Sequence, residues 1–160
     1  MEKVLVGKII NTFGIKGELK VAPDFQFPEK VFFLNNKLIL NDKEVTITKV
    51  RFHKDNYLLE LNNINDINKV LKYKGLSLYV LRSNIKLDEN QVLYNDLINF
   101  DVYDFDNYVG KVTHVYLSDN PLIKVDNKFY IPLKGDFINN IDYKNKRINC
   151  IDLKGLMLWK

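Results

Sequence analysis

The sequence predicts an all-β protein with one short helix, built as two small antiparallel β-barrel domains joined by a short linker. Three observations lead there. Short runs rich in Val, Ile, Phe, Tyr and Leu recur along the whole chain, at the length of half-buried strands. Several neighbouring runs are joined by two Asn or Asp residues, which tolerate the left-handed conformation that tight hairpin turns require. The glycines of the opening segment, Gly7, Gly14 and Gly17, interrupt strand-like runs and do not introduce a helix. A glycine-rich phosphate loop needs a helix N-terminus behind it. Here Gly17 is followed by Glu18-Leu19-Lys20-Val21, an alternation with strand period, so the glycines read as bends of a curved sheet.

Taken in order, segment 4–21 gives two strands around the glycine turn. The pair Asn35-Asn36 separates Val31-Phe32-Phe33-Leu34 from Lys37-Leu38-Ile39-Leu40, and Asp55-Asn56 separates a run ending at Lys54 from Tyr57-Leu58-Leu59-Glu60-Leu61. Both joints predict hairpins. Segment 64–75 breaks the pattern, with Ile64, Ile67, Val70 and Leu71 at helical spacing. Asn65 or Asp66 can cap a short helix there, Lys72 and Lys74 suit its negative end, and Gly75 can stop it. The run 76–81 reads as a strand returning to the first sheet. Polar residues 83–90 form the expected linker, although Ile85 and Leu87 could dock against a domain. The domains are therefore expected at 1–82 and 91–160. Strands resume at 100–105, 108–116, 122–126, 128–132 and 147–151, with Asp106-Asn107 and Asp126-Asn127 as further hairpin joints.

A chain of 160 residues with 46% hydrophobic content fits one domain or two small ones. Its net charge of +4 hides an asymmetry. Residues 1–82 carry 14 Lys or Arg against 9 Asp or Glu, whereas the remainder carries 10 against 11. A basic half suits a polyanion and a slightly acidic half suits a protein partner; ordinary solvated surface charge is the alternative. Cys150 is the single cysteine, so a disulfide framework is excluded and the thiol reads as a small buried residue. No basic leader or membrane-length apolar run is present. A cytoplasmic protein without membrane association, acting as a monomer, is expected.

Catalytic chemistry finds little support in the residue pattern. His53 and His114 fall in different predicted domains, outside any metal-ligand or nucleophile spacing. Asp101, Asp104 and Asp106 lack the glycine and terminal glutamate of a calcium loop. No catalytic residue, metal or cofactor is assigned. What remains is a basic and aromatic surface in the first half. Lys16 and Lys20 lie near the glycine turn, Arg51, His53 and Lys54 lie at a predicted hairpin tip, and Lys69, Lys72 and Lys74 could extend the set. Such residues neutralise phosphates, and flexible loops can follow irregular RNA. Phe13 and Phe52 could be stacking platforms or core.

With these residues in view, the chain resembles the RimM family of bacterial ribosome maturation factors over nearly its full length. Gly7-Lys8-Ile9 followed by Phe13-Gly14-Ile15-Lys16-Gly17-Glu18-Leu19-Lys20-Val21 is similar to that family's opening signature. Arg51-Phe52-His53 through Leu59-Glu60-Leu61, continuing into the 64–75 helix, matches the next block. Tyr94-Asn95-Asp96-Leu97-Ile98, Val109-Gly110-Lys111-Val112, residues 120–125, Ile131-Pro132 and residues 142–148 resemble its PRC-barrel domain in order and spacing. The resemblance implies a non-catalytic factor in maturation of the small (30S) ribosomal subunit and its 16S rRNA. It implies binding to the assembling head, with the PRC-barrel recognising the nineteenth protein of the small subunit. Lys16, Lys20, Arg51, His53 and Lys54 would then face RNA. Many members carry two aromatics where this chain has Val92 and Leu93, so the protein-binding role falls on those positions, on Tyr94 and on Asp96. Asn99 replaces the usual glycine and can still adopt a left-handed conformation. The alternatives are a PRC-barrel interaction module of another complex, and an RNA-processing hydrolase whose constellation the sequence does not supply.

Overall fold

A computed structural model describes residues 2–89 and 91–157. The chain divides into two compact units, Met1–Gln91 and Val92–Lys160. Both are β-sheet units with short helical segments, in keeping with the expected all-β class. Among the described residues no helix is long and apolar enough to cross a membrane.

The first unit is a closed barrel of β1 (Lys3–Phe13), β2 (Glu18–Pro23), β3 (Lys37–Leu40), β4 (Lys43–His53), β5 (Asn56–Leu61) and β6 (Ser77–Leu81), in the order β1-β2-β5-β4-β3-β6. Alternation decides which side of each strand is buried. In β2, Leu19 and Val21 are buried while Glu18 and Lys20 remain partly accessible, and Ile9, Leu38, Ile47, Leu59 and Leu78 complete the apolar interior. Closure leaves no sheet edge exposed. Gly7 sits where the β1–β6 register shifts. A Cβ there would lie 2.9 Å from the Ala22 carbonyl oxygen, so β1 can bend toward β2 only without a side chain.

The expected helix over 64–75 is shorter. Helix α1 (Ile67–Val70) is followed by a 3-10 turn at Leu71–Tyr73. Asp66 caps it, accepting a bond from the Asn68 amide at 2.9 Å, so the helix cannot begin earlier. Asn62 and Asn63 just before it have φ of 54° and 60°, which turns the chain away from β5 first. Gly75 ends the segment at φ 89°, its amide donating to the Ile9 carbonyl at 2.7 Å.

Hairpin positions differ from expectation in instructive ways. Asp126-Asn127 is a turn with both residues at positive φ. The other two expected tips shift back one residue, to Lys54-Asp55 and Phe105-Asp106, leaving Asn56 and Asn107 as first strand residues. Their side-chain amides reach back to the carbonyls of Lys54 and Phe105, a local bond that asparagine supplies from just after the turn. The expected hairpin at Asn35-Asn36 is absent, because Pro28 opens a 3-10 turn at Pro28–Lys30 that buries Val31 and Phe32. The sequence reading missed the true β3–β4 hairpin at Asn41-Asp42, whose φ values are 55° and 62°.

The expected linker 83–90 begins inside the first unit's structure. Arg82–Asn84 forms a 3-10 turn, Ile85 is buried, and Asp88 accepts a 2.8 Å bond from Lys30 Nζ. The compact unit therefore runs to Gln91. Residues 1–91 carry 15 Lys or Arg against 11 Asp or Glu, and residues 92–160 carry 9 of each. The second unit is neutral, not acidic.

The second unit is a six-stranded sheet of β7 (Asp101–Asp104), β8 (Asn107–Tyr116), β9 (Leu122–Val125), β10 (Phe129–Pro132), β11 (Ile138–Asp142) and β12 (Arg147–Cys150), ordered β10-β9-β8-β7-β12-β11. One pair is not antiparallel: β12 runs parallel to β7, with Ile148 opposite Val102. The unexpected strand β11 explains this. It returns as a hairpin with β12 and delivers β12 to the free side of β7. Leu97, Val102, Val112, Ile123, Ile131, Ile148 and Leu153 form the core, joined by Cys150. A second short helix, α2 (Lys154–Met157), places Leu156 against it.

Candidate functional site

The glycine turn between β1 and β2 is held from both ends. Gly14 and Gly17 have φ of 75° and 71°, and the Gly17 amide donates to the Gly14 carbonyl at 3.2 Å. Gly17 presses on α1: a Cβ there would lie 2.9 Å from the backbone N and Cα of Ile67 and 2.8 Å from Val70 Cγ2. Gly14 faces open space. The turn is thus clamped on its inner side while Ile15 and Lys16 point outward, Ile15 being 87% exposed.

Lys16 lines a groove of 680 Å³ together with Glu18, Leu34, Thr48, Lys49, Arg51 and Glu60. Arg51 makes a two-pronged contact with Glu18, Nε to Oε2 at 3.1 Å and Nη2 to Oε1 at 3.0 Å. The Arg51 hydrogen bond is the main reason that the Glu18 carboxyl is held below its ordinary value. The guanidinium also lies 5.5 Å from the Phe13 ring centroid, and His53 packs against the same ring at 5.2 Å. Lys20 and Arg51 stand opposite Leu58 from its two sides, in register across β2, β5 and β4. Lys54 occupies the β4–β5 tip at φ 48°. Phe13 is therefore a partly buried support for Arg51 and His53, while Phe52 is 61% exposed and meets Tyr57 edge-on.

The structure thus brings Lys16, Lys20, Arg51 and His53 to neighbouring positions on the barrel, but their character differs from a plain basic patch. Arg51 is committed to Glu18, whereas Lys16, Lys20 and Lys54 enter no ion pair among the described residues. Glu60 is a residue that sequence reasoning missed. It is buried on β5, and the Thr48 hydroxyl donates to its Oε2 at 2.8 Å. Glutamate within the apolar run Tyr57-Leu58-Leu59-Glu60-Leu61 was the available signal.

In the second unit, Leu93 is 5% exposed and offers little side chain to a partner. Its carbonyl accepts the Tyr143 hydroxyl at 3.1 Å. Val92 and Tyr94 are partly buried against the core. Tyr94 and Asp96 lie in a 3-10 turn at Tyr94–Leu97, and the Asp96 amide bonds the Leu93 carbonyl at 2.9 Å. This short stretch therefore has a packing role in addition to any partner it meets. Burial pushes the Cys150 thiol up to about 12, which keeps it protonated and unreactive. Among the described residues no three His, Cys, Asp or Glu side chains are grouped to hold a metal ion.

These features define a small all-β protein of two sheet units, the first a closed barrel bearing a groove of mixed charge. Residues 4–85 match the family model described as the RimM N-terminal domain. The ribosome maturation factor RimM of Staphylococcus haemolyticus is 35% identical over 97% of this chain and 99% of that protein. Its counterpart in Staphylococcus aureus strain MRSA252 is 34% identical over the same shares. The solution structure of the RimM N-terminal domain from Thermus thermophilus is 15% identical, with a TM-score of 0.46, over 54% of this chain and 98% of that one. The chain belongs to the RimM family of ribosome maturation factors.

Proposed function

We propose that the protein is a non-catalytic ribosome assembly factor that binds the head of the maturing small subunit and assists maturation of its 16S rRNA. The observation that carries this reading is family membership at 35% identity along nearly the whole chain. The barrel supports the RNA half of it: the unpaired Lys16, Lys20 and Lys54 can neutralise phosphates, while the Glu18–Arg51 pair keeps the groove between them polar and ordered. The second unit meets the nineteenth protein of the small subunit through Tyr94 and Asp96, with Val92 and the buried Leu93 supporting that turn from below. A factor of this kind needs no active site. Tighter binding to one conformer of the head is enough to raise its population.

Depletion of the protein followed by profiling of ribosomal subunits tests the reading. Accumulation of free small subunits with unprocessed 16S rRNA is expected; an unchanged profile would refute it. A second reading, an interaction module serving a different complex, is favoured by one observation, the neutral charge of the second unit. A pull-down from nuclease-treated lysate that retains no small-subunit protein would select it.

A further inference from the structure

The second unit carries a sheet face that the sequence reading assigned to nothing. The outward side chains of β8, β9 and β10 form two rows in register. His114 pairs with Lys124 and Lys124 with Tyr130; Tyr116 pairs with Leu122 and Leu122 with Pro132. Their neighbours Val112, Ile123, Val125, Phe129 and Ile131 point the other way into the core. Tyr116 and Tyr130 are 43% and 44% exposed, with ring centroids 5.9 Å apart. His114 stacks beside Tyr116 at 6.1 Å with ring planes only 18° apart. Lys124 Nζ sits 5.3 Å from the Tyr130 ring centroid. Three rings and an ammonium thus share one sheet face, with the planes of Tyr116 and Tyr130 tilted 54° apart.

We infer that this face is a stacking platform for unpaired nucleobases of single-stranded RNA. Every base offers a π-face, so rings held about 6 Å apart can each receive one base of an extended strand, while Lys124 meets the backbone between them. Charge selects the occupant. β8, β9 and β10 contain no Asp or Glu; Lys111 is paired with Asp101 of β7 at 2.8 Å, which leaves Lys124 as the cation of this face. A basic ribosomal protein finds no counter-charge there, whereas a polyanion does. The inference uses residues separate from the Lys16 groove and from Tyr94, so it extends RNA contact to a unit otherwise assigned to protein.

The test is fluorescence anisotropy of the full chain with a labelled single-stranded RNA of about 12 nucleotides, within the site sizes such platforms cover. An abasic strand of equal length serves as the second probe. Tyr116→Ala and Tyr130→Ala are each expected to weaken RNA binding roughly 5- to 150-fold, the loss of one base–ring stack. Tyr116→Phe keeps the ring and is expected to bind as the parent does. The abasic strand is expected to bind weakly to the parent and to be indifferent to the tyrosine changes. Both alanine variants binding as tightly as the parent, or equal binding of abasic and normal strands, overturns the inference. So does a Phe variant as weak as the Ala variant, or displacement of the RNA only by an acidic peptide. Loss of binding in Lys16→Ala with the tyrosine variants unaffected would sink the platform and leave the proposed function standing.

Discussion

Gly17→Ala isolates the clamp that holds the glycine turn on α1, because Gly14 provides a matched control three residues away. Both positions have left-handed backbones, at φ 71° and 75°, so alanine costs about the same 1–2 kcal/mol of backbone strain at each. Both changes also stiffen the unfolded chain similarly, a gain of roughly 0.4–1 kcal/mol. These contributions cancel in the comparison. What differs is space: the new methyl at Gly14 meets nothing within 4 Å, whereas at Gly17 it lies 2.9 Å from Ile67 N and Cα and 2.8 Å from Val70 Cγ2. The valine methyl can turn aside, but the backbone of Ile67 can yield only if the helix moves. Overpacking of this kind costs about 1–3 kcal/mol. Gly17→Ala should therefore be less stable than Gly14→Ala by that amount. For a unit of this size the gap corresponds to roughly 4–8 °C in Tm per kcal/mol. Calorimetry that resolves the first unit's transition, with urea unfolding beside it, measures the gap. Two variants agreeing within about 0.5 kcal/mol, the scatter of an ordinary surface change, would show that the turn is not clamped.

Thr48→Val keeps the shape of the side chain but removes the hydroxyl that donates to buried Glu60 Oε2 and accepts from the Asn63 amide. It should destabilise the barrel by about 1–3 kcal/mol in urea unfolding, whereas Thr48→Ser, which keeps the hydroxyl, should lose much less. In Arg51→Ala the Glu18 carboxyl, followed by NMR titration, should rise toward its ordinary value of 4.5. Because its folded value is depressed, the stability it links is present above the unfolded value and is lost as pH falls through the folded one. The difference between parent and variant should therefore shrink in acid; a constant difference would mean that packing on Phe13 carries the effect. Cys150, buried and raised to about 12, should resist a thiol reagent at neutral pH until urea unfolds the second unit.

Strand periodicity and hairpin chemistry made part of the barrel legible, since its β1–β2 and β4–β5 pairs join neighbours across turns that the sequence announces, whereas the β3–β4 turn at Asn41-Asp42 carried no signal that set it apart from Asn35-Asn36. The Asp-Asn joints announced turns but not their register, because asparagine serves either within a left-handed turn, as Asn127 does, or just after it, as Asn56 and Asn107 do. The β7–β12 pair was invisible for a different reason. It joins residues over 40 positions apart, and nothing local in either strand marks a parallel neighbour. At the groove, Lys16 and Arg51 were readable as cations, but the pairing of Arg51 with Glu18 depends on the register of β2, β5 and β4. The ring platform was missed because each ring, taken alone, is an ordinary strand residue. Only the pairing of three strands collects them.

Charge divides the two units in a way that salt can read. The first unit has an excess of four positive charges and the second has none, so Coulombic attraction for RNA belongs mainly to the barrel. Each phosphate contact adds roughly 0.7 to the slope of log affinity against log salt for a single strand. Lys16→Gln should therefore lower that slope by about 0.7. Arg51→Gln should lower it by less, because the Arg51 charge is already spent on Glu18. Tyr116→Ala should reduce affinity at every salt concentration and leave the slope alone, since stacking releases no counterions. If Arg51 and Lys16 changed the slope equally, the Glu18 pair would have to open when RNA binds, and the groove would be a switch in place of a fixed support. If Tyr116 changed it as much as a lysine does, the ring would be holding Lys124 on a phosphate and not receiving a base, and stacking would not be its role.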